Sequence, residues 1–117
     1  MTPIAVVTTV ATRAEAQALA QALVQRRLAA CAQISQIDSV YRWHGQVQHE
    51  PECRIVVKTT RERYAQVEQA ICELHSYELP AIHAVAFEAI HAPYGEWIAQ
   101  SCDAEPESSN RPDGACE

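Results

Sequence analysis

The stretch from Cys31 to Lys58 constrains this chain more than any other. Ile34, Ile37, Val40, Tyr41, Val47 and the run Cys53-Arg54-Ile55-Val56-Val57 are rich in β-formers, and the main punctuation between them is His44-Gly45-Gln46. Two long strands, Cys31 to Trp43 and Gln46 to Lys58, closed by a turn at His44-Gly45-Gln46, account for the pattern. The spacing Ile34-Ile37-Val40 departs from strict alternation and predicts a bulge or bend. Pro51 lacks a ladder donor and is expected on an edge or at an interruption. Strands of this length exceed what one 117-residue domain needs, and exposed edges so long require cover, so the hairpin itself points towards an oligomer.

The flanking segments supply the rest of a fold. Ile4-Ala5-Val6-Val7-Thr8-Thr9 reads as a buried strand. Thr12-Arg13-Ala14-Glu15 matches a capping box, after which Ala16, Leu19, Ala20, Leu23 and Val24 recur on one helical face. Thr59 and Glu62 offer a second capping box, and Tyr64, Val67, Ile71 and Leu74 mark a second helix ending near His75. Pro80 blocks its continuation, Ile82 to Glu88 alternates as a strand does, and Pro93 to Ile98 suggests a short terminal helix. The order strand, helix, strand, strand, helix, strand predicts an α+β chain of the ferredoxin-like, or split βαβ, class, with a long central hairpin and a short C-terminal helix.

At 13.0 kDa the chain suits one domain, expected over residues 1–102, with residues 103–117 an acidic, Pro/Ser-rich tail expected to be disordered. That tail holds five acids and one Arg, hence −4 of the net charge of −6, leaving the body near −2. Nothing here resembles the basic patch of a nucleic-acid binder, and no apolar run approaches a membrane span, so the expectation is no nucleic acid, no membrane and a cytoplasmic location. Five widely spaced cysteines form no C-x-x-C and are expected as free thiols rather than disulfides or a structural zinc site.

A histidine, a phenol and a carboxylate crowd into Leu74-His75-Ser76-Tyr77-Glu78-Leu79-Pro80, a pattern that neither helix period nor strand alternation explains. Together with Ala29-Ala30-Cys31, Tyr41-Arg42-Trp43-His44-Gly45, Val57-Lys58-Thr59-Thr60-Arg61 and Tyr94-Gly95-Glu96-Trp97-Ile98, this stretch resembles, in order, the signature segments of the CutA family of divalent-cation tolerance proteins. The resemblance runs from Ile4 to Ser101. It implies a ferredoxin-like subunit in a tight homotrimer, with the hairpin pairing across subunits, and a role in copper or heavy-metal tolerance by cation binding rather than turnover.

In that family, metal ligation is associated with a cysteine at the end of the first strand and two adjacent histidines before the Tyr. Here those positions read Thr8 and Leu74-His75, so only His75 carries over, with Cys31 as the other candidate donor. His75 reads equally as a helix C-terminal histidine and Cys31 as a small buried strand residue. Lys58, Tyr77, Glu78 and Trp43 are the candidates for a polar cleft between subunits, with Lys58 at a helix N-terminus open to an anion or to an acid across the boundary. A divalent or copper cation is the candidate ligand and no organic cofactor is indicated. Two other functions fit the fold class. A PII-like small-ligand sensor would want more glycine and lysine than Gly45, Gly95, Gly114 and Lys58 provide, and an acylphosphatase-like enzyme would want an anion loop and an asparagine, where only Asn110 in the tail exists. No catalysis is expected.

Overall fold

Alternating apolar residues make the central strands, and amphipathic helices cover one of their faces. The computed structural model describes residues 1–103. The elements are β1 (Pro3–Val10), α1 (Arg13–Gln25), β2 (Cys31–Trp43), β3 (Gln46–Thr60), a 3-10 turn (Arg61–Arg63), α2 (Tyr64–Leu74), β4 (Ile82–Ala86) and α3 (Ala92–Ser101). The sheet order is β2-β3-β1-β4, and β3 runs antiparallel to β2 and β1, as β1 does to β4. Each βαβ half therefore skips one strand, which is the ferredoxin-like arrangement expected from the element order.

Period-two alternation divides the sheet. Ile4, Val6 and Val10 of β1 and Cys53, Ile55 and Val57 of β3 face the helices, where they join Ala16, Leu19, Leu23, Val67 and Ile71 in the core. The capping box of α1 forms: Thr12 Oγ1 accepts from the Glu15 amide at 3.1 Å, while Glu15 Oε1 accepts from the Ala11 amide at 3.2 Å. The second box does not. Thr59 Oγ1 donates to Leu28 O at 2.6 Å and Glu62 Oε1 accepts from the Thr2 amide, so a 3-10 turn without a side-chain cap precedes α2. Val24 and Leu74, expected on the buried faces, are 39 % and 45 % exposed, each in the last turn of its helix.

The hairpin is regular. Its register holds from Cys31↔Lys58 to Trp43↔Gln46 without a skipped residue, so the expected bulge is absent. The irregular apolar spacing has another cause: Ile34 and Val40 fall on the helix-side face and Ile37 on the opposite face, and both faces carry apolar residues. The turn residues His44 and Gly45 have φ of 53° and 76°, the pair of left-handed residues that a two-residue type I′ hairpin requires. β1 pairs with β3 only from Thr60 back to Cys53, so the outer half of the hairpin leaves the sheet. Pro51 sits just past that last pair, where β3 has no neighbour on its β1 side.

α3 is held by groups from elsewhere in the chain. Arg27 Nη2 donates to Gln100 O at 3.3 Å and Arg63 Nε to Cys102 O at 2.8 Å, satisfying carbonyls that the helix end leaves open. The expected acidic tail lies outside the described residues apart from Asp103.

A Cβ at Gly45 would meet nothing within 4 Å, so Gly45→Ala costs only the backbone term for a left-handed residue, about 1–2 kcal/mol. Denaturant unfolding at fixed protein concentration should show that loss with an unchanged slope. Ile71→Ala, at a fully buried site, should lose more, about 2–5 kcal/mol.

Candidate functional site

The outer half of the hairpin and the segment after α2 enclose a cleft on the face of the sheet away from α1 and α2. Its walls are the odd-numbered end of β2 (Ser39, Tyr41, Trp43), the even-numbered residues of β3 (Glu50, Glu52) and residues 76–81. Alternation explains the lining: the same period that sends Cys53 and Ile55 into the core sends Glu50 and Glu52 to the opposite face. The volume is about 890 Å³.

His75 fixes the near wall. Its Nε2 lies 2.7 Å from Thr9 O, and its Nδ1 lies 3.1 Å from the Tyr77 amide nitrogen. A carbonyl only accepts and an amide N–H only donates, so Nε2 carries the proton and Nδ1 supplies the lone pair. The neutral imidazole thereby clasps the end of β1 to the chain leaving α2, and both ring nitrogens are occupied. Tyr77, whose ring centroid is 4.7 Å from that of His75, then reaches across to the hairpin and donates its hydroxyl to Glu52 Oε2 at 2.7 Å. Glu52 is only 8 % exposed. Burial first, then the bond and the field of Glu52, hold the Tyr77 hydroxyl well above the usual tyrosine range. Further out, Tyr41 donates to Glu50 Oε1 at 3.0 Å, which raises the Tyr41 hydroxyl in the same sense.

Of the residues singled out from the sequence, Tyr77, Glu78 and Trp43 meet in this cleft. Lys58 does not. Its Nζ donates to Gln33 Oε1 at 3.1 Å and to Tyr94 Oη at 3.3 Å, and no bond to Glu78 forms within the subunit. Cys31, opposite Lys58 in the hairpin register, has its Sγ 3.9 Å from the same Tyr94 hydroxyl. Strand geometry separates Cys31 from His75 by roughly 16 Å, two strands across and four residues along from Ala5 to Thr9. Thr8, on the helix-side face, is 1 % exposed with its Oγ1 unpartnered. Among the described residues no three His, Cys, Asp or Glu side chains converge as metal donors. Two residues central to the cleft, Glu52 and Glu50, were not foreseen. The alternation of β3 was a signal for their shared face, but their tyrosine partners are 25 and 9 residues distant in sequence.

The comparison with known proteins agrees with this architecture. A family model described as CutA1 divalent ion tolerance protein matches residues 4–101. The chain belongs to the CutA1 family. A probable divalent-cation tolerance protein cutA homolog from Encephalitozoon cuniculi is 36 % identical over 101 residues, covering 86 % of this chain and 89 % of that one. The CutA structure from Synechococcus elongatus superposes with a TM-score of 0.84 at 37 % identity, covering 87 % of this chain and 91 % of the other. That of Archaeoglobus fulgidus, named a periplasmic divalent cation tolerance protein, gives 0.85 at 30 % identity, covering 86 % and 99 %. The family thus joins this chain to proteins of divalent-cation tolerance, and no helix of the described residues is long and apolar enough to cross a membrane.

Tyr77→Phe removes the hydroxyl that serves buried Glu52 and should cost about 1 kcal/mol, since Tyr77 itself is only half-buried. The pH dependence has a definite sign. The folded state keeps Tyr77 protonated where the unfolded chain loses the proton, so its contribution is intact below about pH 10 and declines as pH rises further. Stability measured between neutral and strongly alkaline pH should fall more steeply for the wild type than for Tyr77→Phe.

Proposed function

We propose that this chain is the subunit of a cytoplasmic homotrimer that serves divalent-cation tolerance by binding a ligand rather than by turnover, with the cleft between hairpin and post-α2 segment lying at the subunit boundary. The observation that carries the assembly is the outer hairpin. Val40 and Val47 are 67 % and 66 % exposed on one face, Tyr41 and Trp43 are 37 % and 39 % exposed on the other, and past Cys53 β3 has β2 on one side and no strand on the other. A projecting ribbon with two apolar faces and free edges is stable in water only when covered. The name borne by the family supports the tolerance role, and the four free cysteines among the described residues suit a reducing compartment.

The donors proposed from the sequence do not make a metal site within one subunit. His75 has no lone pair to give without breaking its bond to the Tyr77 amide, and Cys31 lies far off beside the Lys58–Tyr94 pair. What the subunit offers a cation is the acidic cleft. The small-ligand-sensing alternative gains from the same feature, because its volume is that of a small-molecule pocket.

Light scattering on the full chain should return a mass three times the 13.0 kDa subunit; a monomer at micromolar concentration contradicts the assembly. Titration with Cu(II) and Zn(II) should give the same affinity for wild type and His75→Ala, because the imidazole nitrogens are already engaged. A large loss in the variant would restore His75 as a ligand.

A further inference from the structure

The chemistry of the cleft is one-sided. Glu50, Glu52 and Glu78 line it and no Lys, Arg or His does. Three aromatic rings, Tyr41, Trp43 and Tyr77, share the same walls. Glu52 sharpens the point: it is 8 % exposed, takes a hydrogen bond from Tyr77 on Oε2, and has no ion-pair partner among the described residues. Arg54, two residues along the same face, is exposed and makes no bond to it. A carboxyl removed from water without a counter-charge is unfavourable, and the open side of Glu52 is the cleft.

We infer that the cleft is a binding site for an organic cation, an ammonium or guanidinium group carried on an apolar or aromatic body. The inference rests on the cleft being the binding site of the assembled protein. Ammonium N–H groups would donate to Glu52 and Glu50 on the oxygens that the tyrosines leave free, and the rings of Trp43 and Tyr41 would take the apolar body and face the charge. A bare divalent ion fits less well. It needs several converging oxygens, whereas here no three donors converge and the two glutamates nearest the rings are each tied to a phenol. Phosphate-bearing ligands meet three acids and no base on these walls, so like-charge repulsion opposes the nucleotide form of the sensor reading.

Calorimetry on the full-length protein, with its mass measured in the same buffer, tests the inference. Phenethylammonium chloride is the probe; 2-phenylethanol is its neutral isostere, and zinc chloride and ATP are the comparators. The expected result is saturable binding of the amine in the millimolar range or tighter, none of ATP or the alcohol, and weakening by raised salt. Glu50→Gln and Glu52→Gln keep the volume and a hydrogen-bond acceptor for the tyrosines, and each should weaken the amine about tenfold or more. Equal binding of alcohol and amine, binding unchanged in both Gln variants, or no heat with the amine would overturn the organic-cation assignment. A monomeric mass would contradict the homotrimer and leave the amine result to be judged separately.

Discussion

β3 is fifteen residues long and its neighbour β1 only eight, and that mismatch governs the molecule. Over the shared length, Cys53 to Thr60, β3 is a central strand with one face under two helices, and its inward side chains are almost wholly buried. Beyond it, the same strand continues with β2 as a two-stranded ribbon that no other element covers. The inner half makes a core and the outer half makes a surface. Cleft, exposed apolar residues and unpaired edges are all consequences of where β1 stops.

The link from α2 to β4 exploits that free length. His75, in one defined tautomer, anchors the link to the last residues of β1, and Tyr77 carries it across to Glu52 at the root of the ribbon. The bond matters for position more than for energy. It turns a carboxyl inward on the face that the ribbon shares with Tyr41 and Trp43, and it fixes the spacing of the cleft walls. The Lys58–Tyr94–Cys31 group, at the other end of β1, belongs to the docking of α3 on the sheet rather than to this cleft.

Much of the architecture was legible from local signals. Strand alternation, the Thr12 cap and the Gly45 turn are short-range effects, and each element formed where its pattern lay. Failures arose where a distant group competed. Thr59 has the spacing of a capping residue, but Leu28 O, 31 residues away, takes its hydroxyl. Ile34-Ile37-Val40 looked irregular because a strand with two faces to cover mimics a strand with a bulge. At the candidate site, the stretch from Leu74 to Pro80 was visible as a polar anomaly, while Glu52 was not, since its role depends on a phenol that only folding brings near. Family likeness drew attention to His75 as a ligand, and within the subunit both of its ring nitrogens are hydrogen-bonded to backbone groups.

The central claim is that the outer ribbon is covered in the working protein. Residue-resolved amide hydrogen exchange on the full chain measures this directly, because half of the amides in residues 37–52 point away from their hairpin partner. Covered edges predict protection of those outward amides comparable to that of Val6 and Val7 in β1. Exchange at unprotected rates in the ribbon, with β1 still protected, would contradict the account.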